Sequence, residues 1–410
     1  MKILHISATD IYGGAGVAAY QLHLNFLNCG IQSKMLVNYK FSDDENVVCI
    51  NSKKYYRYIK RILPHIENFS KMLTGESIKL DSLKFGSRIS YLRKHTNWAD
   101  IIILHHISGS FITLDQIVKF NKPCIWYMHD MFSMTGGCHY SEGCDNYKYG
   151  CGNCKFVKSP SVDDDSVKNA LNKKKFYLKQ SNVFVAPSSW LYIESKKSFL
   201  LNNQDIDFIP YSINELVYYR KDKEKVRYGL QITTKKTIIL FSANGNLNDK
   251  RKGLDLLLSA INNFTTKERE DYFLLIVGSD NGLNITNSGI EFKNVKRVSD
   301  SETMSNLYNA ADFLIIPSRE DNLPNTVLES LFCGTPVLAF DIGGMPDMIT
   351  HKVNGYLANP FSIQDFSNGI KFLTENKRND FNYSGVREKF SGTNQIDNFK
   401  KIFSRLIVQK

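Results

Sequence analysis

Short apolar runs alternate with amphipathic segments in both halves of the chain, the pattern of a doubly wound parallel α/β sheet. The strands predicted in the first half are Lys2–Ile6, Lys34–Val37, Ile101–Leu104, Cys124–Met128 and Val183–Ala186. Those predicted in the second half are Thr237–Ser242, Phe273–Val277, Phe313–Ile316 and Val337–Phe340. We therefore expect two α/β domains, each built on its own parallel sheet.

The predicted helices fall between these strands. The first opens at Gly16, has one apolar stripe, and ends before Gly30, which suits a helix C-cap. Others are predicted near 254–264, 302–311 and 325–333. The last, Gln395–Val408, has an apolar stripe that needs a cover, and it could cross back to the first domain.

A chain of 410 residues is longer than one compact hydrophobic core usually accommodates, so two domains are expected. The polar stretch after Pro210 suits a linker and places the boundary near 210–222. We predict domains at 1–210 and 211–395, followed by a C-terminal helix at 396–410.

The net charge of +11 is unevenly spread. Residues 53–63 interleave lysines and arginines with tyrosines and aliphatic side chains, which would suit an anionic membrane surface. A solvated basic helix is an equal alternative, and nucleic acid is less favoured because no reader motif accompanies the charge. No signal peptide or membrane span is recognisable. The expected location is cytoplasmic, with the inner face of the membrane as a peripheral site.

Four glycine-rich or charged turns follow predicted strands. The first, Tyr12–Gly16, could bring an anion to a helix N-terminus, although a tight turn without a ligand explains it equally. The glycine spacing is not that of a dinucleotide fingerprint. The second, Asn248–Gly253, places Lys250, Arg251 and Lys252 at a helix start, where a diphosphate would neutralise them. A solvated turn is the alternative.

The third turn runs from Pro317 through Asp321 into a helix that contains Glu329. A carboxylate in this apolar helix needs a partner if it faces inward, and sugar or ribose hydroxyls would serve. A surface glutamate is the alternative. The fourth turn, Phe340–Asp347, contains Gly343 and Gly344. Because ligands of open α/β sheets bind at the carboxyl ends of strands, these turns together predict a binding site.

Four of the eight cysteines, Cys138, Cys144, Cys151 and Cys154, lie in one stretch rich in glycine and tyrosine. Such a loop needs a staple, and an expected cytoplasmic setting favours a structural zinc ion over disulfides. Free thiols, disulfides and an iron–sulfur cluster are the alternatives, and His139 and His129 are candidate substitute ligands. His105 and His106 end a strand at the same edge as His129, where a structural role is favoured.

The ordered series Lys250–Gly253, Asp321-x7-Glu329, Cys333–Val337 and Gly343–Asp347 resembles the donor-binding domain of glycosyltransferase family 4. Gly13–Gly16, Trp98–Asp100 leading into His105, and Met128–Asp130 resemble that family's first domain. The cysteine-rich insertion resembles one found in a subset of the family. The sequence Asp321–Asn325 resembles that of some members that act on bacterial surface polysaccharide.

This resemblance implies the GT-B fold, two Rossmann-like domains facing a cleft, with the acceptor in the first and the donor in the second. It implies retention of anomeric configuration without a catalytic metal ion. Arg251 and Lys252 would bind the donor diphosphate, Glu329 the ribose, and Asp321 the donor sugar. Gly343 and Gly344 would offer N–H groups, His129 would lie near the reacting carbon, and Gly14 near the phosphates or acceptor. Asp321 replaces the family's usual glutamate, which Glu320 could supply by a one-residue slip.

The resulting expectation is a retaining hexosyltransferase that uses a nucleoside-diphosphate sugar and a glycan or lipid-linked acceptor, in lipopolysaccharide, capsule or related polysaccharide synthesis. A zinc-stapled protein that binds nucleic acid or another anion is the alternative, although it leaves the recurrent turns at strand ends unexplained. A sugar phosphorylase is disfavoured because the chain is short and lacks an evident pyridoxal-phosphate lysine motif.

Overall fold

The computed structural model describes residues 1–50, 89–107, 111–179, 182–242, 249–278, 285, 288–298, 300–376 and 380–408. The basic aromatic segment 53–63 lies outside the described residues, and so does Asn248. The chain forms two compact units, one of Met1–Pro210 with Ile396–Lys410 and one of Tyr211–Gln395.

The sheet of the first unit is parallel throughout, with the described strands in the order β3-β2-β1-β4-β5-β6-β7. Its strands are β1 (Lys2–Thr9), β2 (Gln32–Tyr39), β3 (Val47–Cys49), β4 (Ile101–Leu104), β5 (Cys124–Tyr127), β6 (Asn182–Ala186) and β7 (Asp205–Phe208). Sequence patterns missed β3 and β7 because these short strands occupy the two ends of the sheet and carry little apolar signal.

Helices connect these strands, as expected for parallel neighbours. They are α1 (Gly13–Asn28), α2 (Ile89–Thr96), α3 (Leu114–Val118), α4 (Asp165–Lys179) and α5 (Ser189–Lys197). Single 3₁₀ turns occur at Met131–Met134 and Asn146–Lys148. Helix α1 begins three residues before the predicted start, because its first turn is made of Gly13, Gly14 and Ala15, which add nothing to a helical apolar pattern.

The second unit has a smaller parallel sheet in the order β10-β9-β8-β11-β12-β13. Its described strands are β8 (Thr237–Ser242), β9 (Tyr272–Val277), β10 (Glu291–Val295), β11 (Phe313–Ile316), β12 (Val337–Phe340) and β13 (Gly355–Ala358). Its helices are α6 (Lys223–Gly229), α7 (Leu254–Asn262), α8 (Thr266–Arg269), α9 (Ser301–Ala310), α10 (Asn325–Phe332), α11 (Met345–Met348), α12 (Ile363–Glu375) and α13 (Ser384–Lys389).

The last helix, α14 (Gly392–Val408), belongs for most of its length to the first unit. Its apolar stripe is buried, and Phe399 meets Phe26 and Tyr127 edge-on at ring-centroid distances of 5.7 and 5.4 Å. Arg405 pairs with Asp207 in β7. Burying such aromatic rings is the main stabilising term of this contact, since each removes a large apolar area from water.

Both sheets are filled with aliphatic side chains, and Ile3, Ile102, Leu240, Leu314 and Leu338 are at most 1% exposed. Among the described residues, no helix combines the length and the apolar character that crossing a bilayer requires.

Candidate functional site

The carboxyl ends of three neighbouring strands in the second unit carry the predicted donor-site residues. Strand β8 leads towards the turn of cations, β11 leads into Ser318–Asp321, and β12 leads into Gly343 and Gly344. Because β8, β11 and β12 are adjacent in the sheet, these three turns meet at one edge.

The cations lie on a separate 3₁₀ turn, Lys250–Lys252, and α7 begins only at Leu254. The helix predicted near 254–264 thus begins at Leu254, and the cations lie on the turn that directly precedes it. Asp249 caps the turn by accepting from the N–H of Arg251 at 3.0 Å. Gly253 separates the turn from α7 at a φ of 70°, and a Cβ there would stand 1.8 Å from the carbonyl oxygen of Pro317. Only glycine allows this close approach to the end of β11.

Asp321 pairs with two of these cations. Its Oδ2 lies 2.8 Å from Nζ of Lys252 and 3.4 Å from Nη1 of Arg251, and the Ser318 hydroxyl donates to it at 3.3 Å. Burial raises the pKa of Asp321, but Lys252 and Arg251 outweigh burial and lower the pKa overall. The carboxylate is therefore ionised and shares the cations of the turn.

Glu320 takes a different position from its neighbour. Its side chain is half-buried, and its backbone carbonyl accepts from Nη1 of Arg251 at 3.0 Å. The side chain that meets Lys252 at 2.8 Å is that of Asp321, and the contact of Asp321 or Glu320 with a donor sugar stays a prediction.

Gly343 and Gly344 pack against the backbone of Asp321. The N–H of Gly344 donates to the Asp321 carbonyl at 3.2 Å. Gly343 has a φ of 54°, and a Cβ on it would stand 2.0 Å from the same oxygen. The structure thus brings Arg251, Lys252, Asp321 and both glycines together, with one N–H of the glycine turn already engaged.

Glu329 lies inside α10 and is 8% exposed, so the alternative of a surface glutamate is wrong. The hydroxyl of Tyr308 donates to its Oε2 at 2.8 Å, and Tyr218 also bonds to it. Burial raises the pKa of Glu329 to about 7, even though the two tyrosines favour the ionised form. Sequence reasoning did not identify either tyrosine, since Tyr308 lies within an ordinary helical pattern and Tyr218 within the stretch assigned to a linker.

In the first unit, the predicted residues follow β1, β4 and β5, which are also adjacent. Gly14 lies in the first turn of α1, and a Cβ added to it would meet no heavy atom within 4 Å. A Cβ on Gly16 would instead stand 2.5 Å from Oγ1 of Thr9 and 2.6 Å from the carbonyl oxygen of Asp10. Gly16 is therefore needed for packing, whereas the space above Gly14 is open.

His129 ends a chain of three imidazoles that crosses the sheet. Its Nε2 lies 2.9 Å from Nδ1 of His105, whose Nε2 lies 2.9 Å from Nδ1 of His5. Burial lowers the pKa of His129 to about 3, and the pKa of both partners also falls well below the usual value. These rings are neutral at physiological pH. The sequence signal for His105 was its position at a strand end, but His5 inside β1 gave none.

A second polar group lies at the end of β5. Nδ1 of His139 is 2.7 Å from Oδ2 of Asp130, and a ligand atom of His106 joins them within 4.8 Å. Among the described residues, this trio alone brings three metal-ligand atoms so close together. Burial raises the pKa of Asp130, but the charge and hydrogen bond of His139 help lower it to about 2. The group can accept hydrogen bonds from hydroxyls or hold a cation.

The four clustered cysteines line one cavity of about 20 Å³. Burial raises the pKa of Cys138 to about 12 and that of Cys151 to about 11, and also raises the pKa of Cys154. All eight cysteines lie among the described residues, and none of them forms a disulfide.

Comparisons with known proteins agree with this architecture. Residues 222–388 match the family described as glycosyl transferases group 1. The chain is 24% identical over 367 residues to WcaC of Escherichia coli (strain K12), a protein assigned to colanic acid biosynthesis as a glycosyl transferase, and the match covers 83% of each chain.

Two solved structures share the fold over nearly the whole length. The sucrose-phosphate synthase of Thermosynechococcus elongatus superposes with a TM-score of 0.69 at 15% identity, covering 100% of both chains. Anabaena HepE in complex with UDP and glucose superposes with a TM-score of 0.63 at 15% identity, covering 98% of this chain and 99% of that one. The chain therefore has the two-domain parallel α/β architecture of the GT-B fold, and its residues 222–388 are similar to glycosyl transferases group 1.

Proposed function

We propose that the protein is a retaining hexosyltransferase of family 4 that uses a nucleoside-diphosphate sugar and a glycan or lipid-linked acceptor in bacterial surface polysaccharide synthesis. The observation that carries the proposal is the cluster of Arg251, Lys252 and Asp321 beside the Gly343–Gly344 turn. It combines cations for a diphosphate with an acidic group for sugar hydroxyls at the carboxyl edge of the sheet.

Arg251 and Lys252 would stabilise the departing nucleoside diphosphate. When the bond from the sugar to the diphosphate breaks, negative charge develops on the phosphate oxygens. The capped turn holds the backbone of Arg251 and Lys252 at this edge, so both cations are in place to stabilise this charge. Asp321 holds Lys252 in the absence of donor and exchanges that contact for the donor sugar. No metal ion is required by this arrangement, because the protein supplies the positive charge itself.

Glu329 serves the ribose. Its carboxylate is already oriented by Tyr308 and Tyr218, and it accepts hydrogen bonds from ribose hydroxyls when ionised. In the first unit, the open space at Gly14 admits a substrate group against the start of α1. Neutral His129 offers an uncharged ring to the acceptor or the donor sugar, held in orientation by His105.

The relatives support the substrate class. The likeness to a protein assigned to colanic acid biosynthesis favours a polysaccharide acceptor. A neighbour of the same fold that binds UDP and glucose favours a uridine donor and a hexose. We therefore place UDP-hexoses first among the donors to be tested.

The test begins with thermal unfolding of the purified protein against UDP, GDP, ADP and CMP and their sugar conjugates. A ligand at about a hundred times its Kd should add about 2.7 kcal/mol of stability. The stabilising sugar conjugate is then supplied with membrane glycolipid extract, and the anomeric configuration of the product is read by NMR. A product with the donor's configuration supports retention, and an inverted product overturns it.

Lys250→Ala is the matched control for Lys252→Ala in the binding assay, since Lys250 is exposed on the same 3₁₀ turn. The expected result is that one nucleotide stabilises the wild type and Lys250→Ala but not Lys252→Ala. If no nucleotide or sugar conjugate stabilises the wild type, the proposed donor site is wrong.

A further inference from the structure

We propose that Cys138, Cys144, Cys151 and Cys154 form a structural zinc site that organises the loop after β5. The four residues come from a 17-residue stretch, yet all four line the same cavity of about 20 Å³. That volume corresponds to about one water-sized sphere, which suits a single ion and excludes an organic ligand.

The backbone of the loop is shaped to turn these side chains inward. Glu142, Cys151 and Asn153 have φ values of 48°, 73° and 47°, and Gly143, Gly150 and Gly152 are also left-handed. Each such residue other than glycine carries a conformational cost that the fold must offset. These left-handed residues lie just before Cys144 and around Cys151 and Cys154. The conformational cost is therefore concentrated at the backbone that carries the thiols.

Polar groups around the cavity suit bound thiolates. The N–H of Gly136 donates to Sγ of Cys151 at 3.2 Å. The ammonium of Lys173, only 3% exposed, donates to the carbonyl oxygens of Phe132 and Thr135 at 2.5 and 3.1 Å. A zinc ion with four thiolates carries two net negative charges, and a buried ammonium beside Cys138 and Cys151 offsets part of that charge.

The geometry requires the loop to tighten around the ion. Zn–S bonds of about 2.3 Å bring tetrahedral sulfur atoms to about 3.8 Å from one another. Among the described residues, the trio that brings three metal-ligand atoms within 4.8 Å is His106, Asp130 and His139, not the cysteines. Zinc would therefore draw the thiols inward, while Asp164, which accepts from the N–H of Cys154 at 2.7 Å, already anchors one end.

Zinc fits these residues better than the other thiol chemistries. Four thiolates that include a Cys-x2-Cys pair form the closed site typical of structural zinc. The free thiols lie at a shared cavity without any disulfide between them. Because the site is closed, zinc would hold the loop and take no part in bond breaking.

Metal analysis of protein purified in reductant without chelator tests the site. About one equivalent of zinc is expected for a closed four-thiolate site. Cys144→Ser and Cys151→Ser should each lose most of the zinc, whereas Cys29→Ser, an exposed cysteine elsewhere in the same unit, should keep it. Less than about half an equivalent in the wild type overturns the proposal. Iron with sulfide-dependent absorbance overturns it as well.

A second measurement does not depend on variants that fold. Titration of the wild type with an organomercurial should release zinc in step with the modification of four thiols. Cobalt substituted for zinc should show the visible bands of tetrahedral thiolate coordination. Modification of Cys138, Cys144, Cys151 and Cys154 with the zinc still bound would place the metal elsewhere, with the His106, Asp130 and His139 group as the next site to examine. These readouts are independent of glycosyl transfer, so they can fail while the proposed function stands.

Discussion

The carboxylate of Asp321 lies 2.8 Å from the ammonium of Lys252, although 69 residues separate them in the chain. The contact joins the turn after β8 to the turn after β11. It keeps a lysine proposed to bind phosphate aimed at the sheet edge, and it gives that lysine a carboxylate partner in the absence of a donor. Removing either side chain therefore affects both the local fold and the proposed chemistry, in ways that can be separated.

Replacing Lys252 with alanine should lower kcat about a hundredfold or more, because one preorganised contact to the developing charge is lost. The circular dichroism spectrum should stay that of the wild type. Steady-state kinetics with the best UDP-sugar measures the effect, with Lys250→Ala as the comparison. Turnover within about threefold of the wild type would remove Lys252 from the diphosphate site.

Replacing Asp321 with asparagine should destabilise the second unit by about 2 kcal/mol at pH 7, since a buried carboxylate that pairs two cations is lost. The pKa of Asp321 is lowered in the fold, so its stabilisation is present above the unfolded value of about 3.9 and is lost as pH falls through the lower folded value. The difference between wild type and variant in urea unfolding should therefore shrink below about pH 4.

Asp255→Asn provides the control for that experiment. Asp255 pairs with Arg319 next to the same turn, but its side chain is 63% exposed, so its loss should cost less than about 1 kcal/mol. An equal loss of unfolding free energy in Asp255→Asn and Asp321→Asn at pH 7 would show that burial of the Asp321 ion pair adds nothing to stability.

The raised pKa of Glu329 predicts pH-dependent donor binding. Burial holds the pKa at about 7, so the carboxylate that would accept ribose hydroxyls is only partly ionised at neutral pH. Affinity for the UDP-sugar should therefore rise between pH 6 and pH 8. Calorimetric titration measures it, and Glu329→Gln should bind more weakly and without this pH dependence. A wild-type affinity that is flat over this range would contradict the ribose assignment.

The same group makes a stability prediction of opposite sign to that of Asp321. A folded pKa raised from about 4.5 to about 7 means that the folded state keeps a proton that the unfolded chain releases. Its contribution is fully present below pH 4.5 and is lost as pH rises through 7, a difference of about 3 kcal/mol. Glu329→Gln should thus gain stability relative to the wild type between pH 5 and pH 8 in urea unfolding. A constant difference across this range would mean that the carboxyl group ionises normally in the fold.

The two glycines of the first turn should respond in opposite ways. Gly14→Ala should fold normally, because an added Cβ meets no heavy atom within 4 Å, yet it should reduce transfer by filling the open space. Gly16→Ala should unfold more readily, because its Cβ would collide with the Thr9 and Asp10 groups at 2.5 and 2.6 Å. Thermal melts and transfer assays separate the two effects. Full activity in Gly14→Ala would exclude a substrate group from this position.

His129 should remain neutral at every pH at which the enzyme is active, since burial lowers its pKa to about 3. Imidazole ¹⁵N shifts of His129, assigned by comparison with His129→Gln, should stay unchanged from pH 8 to pH 5. Titration of His129 near pH 6.5 would show that the imidazole chain does not exclude the charged form.

The sequence predicted the central strands and the chemistry at their ends, because both have local signals. Ile101–Leu104 is apolar throughout, and Lys252, Asp321 and Gly343 each follow such a run. Edge strands such as Val47–Cys49 were missed because three residues do not make a pattern. The partners of Glu329 and His105 were missed for a different reason. Tyr308 meets Glu329 through helix packing and His5 meets His105 through strand pairing, and no local spacing encodes either contact.

The return of α14 to the first unit has a consequence for how the protein is made. The first unit is assembled from residues at both ends of the sequence, and the whole second unit is inserted between them. During synthesis, the second unit can finish folding as soon as Gln395 has left the ribosome. The first must wait for Phe399 and Phe403 to cover Phe26, so its apolar surface stays exposed throughout synthesis of the inserted unit. The unit that is synthesised first is thus completed last. Chaperone binding to Phe26 and Tyr127 should matter most while the second unit is being synthesised.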